Sequence, residues 1–420
     1  MLTTTTAYYR QLHGGLALKS LADLNDAERL AIYNGQIFGQ GVAEMTRSLI
    51  LHHPATRLHH WLYIEDEASE QIVSSLCLIP WTWRYEDVTL KSGEMGIVST
   101  LESYRNRGLI RVMVGRFKEL LREEGCDLSH IQGIPYFYRQ FGYEYALPLE
   151  AQWQIELRNI PDTAEAQPFR RATAEDIPVL TLLYDETTAN LNISTLRSAD
   201  IWRFMLENTV GTDVEGETWL MLDDANQPTG YFRLMRHGFG EGLIVSETSR
   251  LNNESAKGLL GWLKATALER NKPYIRLNLP VNNDLLTTAR GFGAHDSGGY
   301  AWQIYVPDVA GLLRKLSPVL ERRIAGRPFA GLSRKIILNL YREAFELEFE
   351  RGKLLGVNSI GFSDDGAIRL PPNLLAPLVL GYHSHRELRQ MYPDVAIWGE
   401  FQPLVDVLFP KMESFIYTNY

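Results

Sequence analysis

The chain has 420 residues, 45% of them hydrophobic and 22% charged, which excludes a collagen-like or mostly disordered protein. Its formal net charge of −9 argues against non-specific nucleic-acid binding and weakly favours cationic small molecules as partners. No apolar run reaches the roughly 18 residues of a membrane helix, and residues 1–15 lack the apolar core of a signal peptide. Because there are only two cysteines, Cys77 and Cys126, a disulfide framework is excluded and we expect a cytoplasmic protein.

The first block, residues 1–150, is predicted to be an α/β domain, since strands alternate with helices. Its clearest element is a long helix whose apolar residues recur at spacings of three and four: Leu109, Val112, Met113, Phe117, Leu120 and Leu121. Gly125 stands where a glycine commonly ends a helix. The other predicted elements are a helix over 27–38, a strand pair over 61–85, and strands over 95–100 and 128–131.

The second block, residues 165–310, begins after a polar segment with prolines at both ends, residues 161–168. Thr173 and Asp176 have the spacing of a capping box that opens a helix. Residues 219–235 are predicted to form two strands around the polar turn DDANQPTG.

Two short motifs indicate that the second block is a copy of the first. IVST at 97–100 returns as IVSE at 244–247, an offset of 147, and RQFG at 139–142 returns as RGFG at 290–293, an offset of 151. Each IVS motif precedes a polar loop and a helix. Two tandem copies of one fold, each a mixed central sheet flanked by helices, account for these offsets.

The third block, residues 315–420, is predicted to be a small α+β domain. Its predicted elements are a helix over 317–325, a strand over 345–349, a turn that ends at Gly366 and a helical segment from Pro372.

The segment between the strand at 95–100 and the long helix has the composition of an anion site. The loop contains Arg105, Asn106, Arg107 and Gly108 directly before the helix. At a helix N-terminus several backbone N–H groups have no intrahelical partner, and the helix dipole is positive there. Glycine lets the backbone approach a ligand closely, so a pyrophosphate cradle is one interpretation. A solvated basic turn that caps the helix is the other, and local physics alone does not separate them.

The R-x-x-G pattern at Arg105–Gly108 resembles motif A of the GCN5-related N-acetyltransferases (GNAT), although Ile110 stands where that motif usually has Gly or Ala. YFYRQFGYEYA at 136–146 resembles a stretch of the enhanced intracellular survival subgroup of that family. The resemblance covers essentially the whole chain. It implies two GNAT folds, the second degenerate, followed by a sterol-carrier-like domain.

The resemblance also implies acetyl-CoA as cosubstrate and two catalytic groups. Tyr138 matches the general-acid tyrosine, and the α-carboxylate of Tyr420 matches the C-terminal general base. The alternatives are a packed aromatic for Tyr138 and a frayed terminus for Tyr420. By position, the implied acetyl-CoA contacts are Val98, Thr100, Arg105, Asn106, Arg107, Gly108 and Leu109.

The internal offsets place the active site in the first block alone. The second copy has Asn252, Glu254 and Ser255 where the first has Arg105, Arg107 and Gly108. It has Ala289 where the first has Tyr138. The cradle and the tyrosine are therefore both missing from the second copy.

The sequence gives weaker evidence on which residues bind the acceptor amine. Trp81 and Trp83 alternate on one strand and are candidate pocket residues, with core packing as the alternative, and Glu102 is a candidate amine-attracting carboxylate. The paired histidines at 52–53 and 59–60 lack an evident carboxylate to complete a metal site, so no metal is predicted.

The sequence therefore predicts an acetyl-CoA-dependent N-acetyltransferase. It is expected to transfer acetyl by direct attack on the thioester to an aminoglycoside-like or polyamine-like small molecule, or to a lysine side chain. The alternative function is a lipid or small-ligand carrier that acts through residues 315–420. Neither nucleic acid nor a membrane is expected as a partner, and the resemblance implies a homo-oligomer such as a hexamer.

Overall fold

A computed structural model of the chain describes residues 7–162 and 168–420. Residues 1–6 of the segment without an apolar core, and residues 163–167 of the predicted linker, lie outside the described residues. The elements before residue 162 are β1 (Tyr9–Gln11), β2 (Leu16–Ser20), α1 (Leu24–Phe38), α2 (Gln40–His52), β3 (Trp61–Asp66), β4 (Gln71–Tyr85), β5 (Val88–Thr100), α3 (Leu109–Glu123), β6 (Leu128–Ile131) and β7 (Glu144–Glu156).

The elements of residues 168–305 are β8 (Phe169–Arg171), α4 (Ile177–Thr188), β9 (Ile193–Thr195), α5 (Ala199–Glu207), β10 (Gly216–Leu222), β11 (Pro228–Met235), β12 (Leu243–Thr248), α6 (Asn253–Glu269), β13 (Tyr274–Asn278), α7 (Asp284–Gly291) and β14 (His295–Tyr305). The remaining elements are α8 (Val309–Lys315), α9 (Ser317–Ala325), β15 (Arg334–Asn339), β16 (Ala344–Glu350), β17 (Lys353–Gly361), β18 (Ile368–Arg369), α10 (Leu375–Val379), α11 (His385–Met391), β19 (Ala396–Ile397) and α12 (Gln402–Leu408).

These elements confirm the mixed α/β fold class. α3 begins and ends where its apolar spacing predicts, and Gly125 follows it at φ +65° with its N–H donating to the carbonyl of Arg122. Thr173 and Asp176 form the predicted capping box ahead of α4. β5 is longer than predicted, because the strand begins at Val88 and includes a buried acidic residue.

One mixed sheet joins the two halves through an exchange of strands. In the described residues its order is β1-β2-β3-β4-β5-β6-β14-β7-β13-β12-β11-β10-β8, and β9 pairs with β4. β14, from the second half, pairs with β6 of the first half, and β7 of the first half pairs with β13 of the second. Since the halves share this sheet, residues 1–150 and 165–310 as separate domains stay a prediction.

The two faces of the sheet's first half have different neighbours. α3 packs on one face, against apolar residues of β3, β4 and β5 that include Leu62, Leu76 and Met95. The other face carries Trp81 and Trp83 and joins the core of α1, α2 and residues 312–420. The last part of the chain has its own sheet, ordered β17-β16-β15-β18-β19. Among the described residues, no helix has the length and apolar character that spanning a membrane requires.

Candidate active site

The sheet opens at the carboxyl end of β5. The parallel ladder of β5 with β6 ends at the pair Glu94 and His130, and within the described chain the rest of β5 pairs only with β4. A bulge against β4 follows, with Ile97 at φ +47°, directly before Val98. A strand edge released from its neighbour presents free backbone N–H and C=O groups. The predicted contacts Val98 and Thr100 lie on this released segment.

The N-terminus of α3 stands at the end of this split strand. Gly108 precedes α3 at φ +76° and ψ +10°, and no side chain of the described residues caps the helix. Arg105, Asn106 and Arg107 are exposed, while Leu109 is buried and anchors the first turn. The uncapped N–H groups and the positive helix end therefore face outward with two arginines beside them, which suits a bound pyrophosphate.

The two arginines of this loop differ in their contacts. The guanidinium of Arg107 lies 4.5 Å from the ring centroid of Tyr104 and donates to the carbonyl of Ser103 at 3.0 Å. Arg105 has no side-chain contact of this kind within the described residues, so its guanidinium is free to meet an incoming anion.

Tyr138 lies in a short 3-10 turn, Phe137–Phe141, after β6. Its ring packs edge-on against Phe137 at 5.1 Å, and Gly133 leaves it room, because a Cβ there would lie 2.2 Å from the ring. Burial raises the pKa of Tyr138 to about 12, so the phenol is protonated at neutral pH. Its hydroxyl has no hydrogen-bond partner among the described residues. A protonated hydroxyl that has no partner, on an otherwise buried tyrosine, is suited to donate to a ligand.

Tyr420 packs on the face of the sheet opposite to α3, and 8% of its surface is exposed. Its hydroxyl donates to Oε1 of Glu94 at 2.6 Å, and its ring meets Trp81 edge-on at 5.6 Å between centroids. Burial raises the pKa of Glu94 from its ordinary 4.5 to about 7. His130 Nε2 lies 4.0 Å from Oε2 of Glu94, and burial lowers the pKa of this imidazole well below its ordinary range, so it is neutral.

A cavity of about 640 Å³ lies between the two halves beside Tyr420. The first half contributes Met45, Gln132 and Leu149, and the second half contributes Asp213 and Arg236. Residues 415–418 and Tyr420 form another wall. The cavity is thus built from all three parts of the chain.

The predicted acceptor residues lie apart from this cavity. Trp83 is fully buried and Trp81 is 3% exposed, and both pack against the imidazole of His130. Trp81 contacts Tyr420, whereas Glu102 lies exposed in the 3-10 turn Glu102–Tyr104 that leads to α3. The structure therefore brings Trp81 to the docked C-terminal residue and leaves Glu102 near the predicted cradle.

Sequence reasoning missed the buried charges at the site. Glu94 was overlooked because the predicted strand began one residue later, although an acid inside an apolar strand is itself a signal. Arg197 and Glu247, buried in the second half, form an ion pair at 2.7 Å that also contacts residues 418–419. No local pattern marks Arg197, because its hydrogen-bond partners lie at least 50 residues away in the chain.

The argument that no carboxylate accompanies the histidine pairs was wrong. Oε1 of Glu124 lies 2.8 Å from Nε2 of His59 and 3.4 Å from Nε2 of His60. However, Nδ1 of His60 accepts the backbone N–H of Arg57, so Nε2 of neutral His60 carries the proton. This tautomer suits a hydrogen-bonded cluster better than a ligand set.

Comparison with known protein families gives one match, and it lies in the first half of the chain. Residues 41–146 match the family of the acetyltransferase (GNAT) domain. This match covers about a quarter of the chain and lies wholly within the first half. The predicted enzyme class, an N-acetyltransferase, is confirmed, and acetyl-CoA is the cosubstrate of such domains. The matched residues include β5, the α3 loop and Tyr138.

Solved structures share the fold over nearly the whole chain. A GCN5-related N-acetyltransferase from Anabaena variabilis aligns with a TM-score of 0.69 and 15% identity over 96% of this chain and 99% of its own. A probable N-acyltransferase from Enterococcus faecalis gives 0.68 and 16% over 99% and 100%. Eis1 from Mycobacterium abscessus gives 0.62 and 16% over 96% and 100%. At these identities the likeness shows the fold alone. No curated protein matches the chain.

Proposed function

We propose that the protein is an acetyl-CoA-dependent N-acetyltransferase with an amine acceptor, and that the transfer is a direct attack of the amine on the thioester. The observation that carries this proposal is the uncapped N-terminus of α3, with Arg105 and Arg107 beside it, at the end of the released strand edge. The pyrophosphate of acetyl-CoA is bound by the backbone N–H groups of α3 and by these arginines, with Asn106, Gly108 and Leu109 shaping the turn. The released edge at Val98 and Thr100 holds the pantetheine and the thioester.

Tyr138 is proposed as the general acid. When the amine nitrogen attacks the thioester carbonyl, the C–S bond breaks and the thiolate needs a proton. The phenol of Tyr138 is protonated, buried and without a partner in the described chain, so it can donate to that sulfur.

The α-carboxylate of Tyr420 is proposed as the general base. The burial of Tyr420 and its hydrogen bond to Glu94 support this role, because they oppose fraying of the segment. An α-carboxyl group has a pKa of about 3.3–3.7 and is a weak base in water, so the proposed role requires that burial raises this pKa. Glu102, Trp81 and Trp83 stay weaker candidates for acceptor contacts.

The acceptor is proposed to be a cationic small-molecule amine, aminoglycoside-like or polyamine-like, or a lysine side chain. The cavity of about 640 Å³ next to Tyr420 has the size of a small-molecule site. Asp213 is the carboxylate proposed to bind the ammonium group, on a wall that also carries Arg236 and Lys272. The cytoplasmic location stays a prediction from the two cysteines, and a homo-oligomer such as a hexamer stays a prediction from the family resemblance.

The alternative, lipid carriage by a sterol-carrier-like domain at 315–420, has weaker support. A cavity of about 640 Å³ lies between β7, β14 and this part of the chain. Its lining includes the ion pair of Arg139 with Glu144 and the hydroxyls of Tyr145 and Tyr300. Such a lining favours a polar ligand over an acyl chain.

The experiment measures thiol release from acetyl-CoA with an aminoglycoside, a polyamine, a lysine peptide and an arylamine. We expect amine-dependent release that falls by about a hundredfold or more in Tyr138→Phe, the usual contribution of a general acid. Calorimetric binding of acetyl-CoA should be unchanged in that variant. Tyr63→Phe, at another buried tyrosine, is the matched control.

The same assay tests the base and the alternative. A short tag added after Tyr420 should reduce turnover strongly while acetyl-CoA binding persists. Unchanged turnover in the tagged chain would exclude the carboxylate role. Failure of the wild type to bind acetyl-CoA at millimolar concentration would overturn the proposed function, and co-purification of a lipid would then support the carrier.

A further inference from the structure

The last residues of the chain are held mainly by the second half. The carbonyl of Glu413 accepts the backbone N–H of Asn192 at 2.7 Å, and the N–H of Phe415 donates to the carbonyl of Ile193 at 3.1 Å. The hydroxyl of Thr195 donates to the carbonyl of Tyr417 at 2.6 Å. Residues 412–420, called the tail below, therefore run along β9 before they reach the first half.

Arg197 makes the most contacts to the end of the tail. Its Nη2 donates to the carbonyl of Thr418 at 2.6 Å, and its Nε donates to Oδ1 of Asn419 at 3.2 Å. Its Nη1 and Nη2 also bind the two carboxylate oxygens of Glu247, each at 2.7 Å. The side chain of Arg197 is fully buried, so this charge depends on Glu247 for compensation.

Two aromatic rings fix the direction of the Arg197 guanidinium. It lies 4.3 Å from the ring centroid of Tyr184 and 4.7 Å from that of Trp202. With Glu247 on one side and the two rings around it, the planar group has little freedom, and its remaining donors point to the tail. The guanidinium of Arg197 is therefore already oriented to bind the tail.

Glu247 has a counterpart in the first half. Under the 147-residue offset it corresponds to Thr100, at the end of the released strand edge proposed for acetyl-CoA. The strand end that binds cosubstrate in one half thus holds, in the other half, the carboxylate that compensates Arg197.

We propose that Arg197, compensated by Glu247, is a positioning residue for the acceptor site: it holds the tail as a wall of the amine cavity. Residues 415–418 and Tyr420 line that cavity, and the two residues that Arg197 contacts are Thr418 and Asn419. The hydroxyl of Tyr420, bound to Glu94, is the second anchor. The second half, which lacks the cradle, thereby shapes the site where the amine binds. This inference rests on the proposed function.

The test compares Arg197→Lys and Asn419→Leu with the wild type. Lysine keeps a cation beside Glu247 but cannot reproduce the donors to Thr418 and Asn419, and leucine removes only the Oδ1 acceptor. We expect the KM for the amine to rise by about tenfold, the usual effect of losing a hydrogen bond to a charged group. The acetyl-CoA affinity should stay unchanged. Because Arg197→Lys already loses the bond to Asn419, the double variant should be no worse than Arg197→Lys alone.

A second readout does not depend on activity. Hydrogen–deuterium exchange of residues 412–420 should be faster in both variants than in the wild type. The matched control is Arg270→Lys, an arginine of the same half whose partner is Glu217. Unchanged exchange of the tail together with an unchanged amine KM would overturn the inference. Faster exchange in a protein with no amine turnover even as wild type would instead contradict the proposed function. If Arg197→Lys does not fold, Asn419→Leu decides alone.

Discussion

The two halves of the large sheet begin their central helices in opposite ways. α3 follows Gly108, has no side-chain cap and is flanked by exposed arginines. α6 follows Asn252, whose Oδ1 accepts the N–H of Ser255 at 2.8 Å, and it has Glu254 in its first turn. The first helix therefore leaves its N–H groups and its positive end to a ligand, whereas the second satisfies both with its own residues.

This difference teaches that two halves can share one backbone path while the residues at a possible binding site differ. Three differences at one helix start remove the residues of the proposed anion site and leave the strand–loop–helix path in place. The second half keeps a different task in our proposal, since its Arg197 and Glu247 hold residues 418–419. In this proposal the first half binds the cosubstrate and the second half shapes the acceptor site.

The largest expected effect comes from giving the loop before α3 the residues that stand at the corresponding positions of α6. In the double variant Arg105→Asn with Arg107→Glu, two cations are lost and a carboxylate enters the loop directly before Gly108, beside the proposed pyrophosphate site. Each charge-assisted hydrogen bond contributes about 1.5–3 kcal/mol, so acetyl-CoA should bind about a hundredfold more weakly or worse. Calorimetry measures this directly. Affinity within twofold of the wild type would show that the arginines do not form the cradle.

The pH dependence of stability gives a second comparison between the halves, because one of two corresponding carboxylates is buried and the other is exposed. The 147-residue offset pairs Glu94 with Glu241, and only Glu94 is buried. Burial raises the pKa of Glu94 to about 7, so the folded state holds this proton more tightly than the unfolded state does. The stabilisation from this group is therefore present below pH 4.5 and is lost as the pH rises through about 7.

Replacing Glu94 by Gln should remove that loss. Between pH 5 and pH 8 the free energy of unfolding of Glu94→Gln should rise relative to the wild type by roughly 2–3 kcal/mol. Denaturant unfolding at both pH values measures it, with Glu241→Gln as the exposed control. An equal pH dependence in Glu94→Gln and the wild type would mean that Glu94 titrates normally.

The smallest expected effect concerns the cap of α6. Asn252→Ala removes the side chain that accepts the N–H of Ser255, which costs about 1 kcal/mol of stability. Acetyl-CoA binding should not change, because the cradle lies in the other half. Thermal unfolding and calorimetry on one sample check both statements. A loss of acetyl-CoA affinity without a loss of stability would reverse the roles assigned to the two helix starts.

Sequence predicts well where the signal is local. The 3-4 spacing from Leu109 to Leu121 predicts α3, and the capping box at Thr173 predicts the start of α4. The composition of the loop before α3 can also be recognised in the sequence, because the arginines, the glycine and the first residue of the helix are adjacent in the chain.

The rest depends on contacts between distant residues. The hydrogen bond of Tyr420 to Glu94 joins residues 326 positions apart, and the carbonyl of Thr418 meets Arg197 across 221. The strand exchange is invisible for the same reason, since β7 and β14 each look like the last strand of their own half. A regular stripe such as Trp81 and Trp83 gives no indication of which face it packs against, and here both residues are in the core.

The exchange of β7 and β14 has a consequence during synthesis. His295, where β14 begins, lies 164 residues after Ile131, where β6 ends (295 − 131). At a translation rate of about 5–20 residues per second, β6 waits roughly 8–30 s on the ribosome before the strand that covers its edge has been made. For that interval the nascent first half exposes an unpaired edge, which is a template for wrong pairing. The catalytic half is therefore made first but can be completed only late, and its folding has a high contact order.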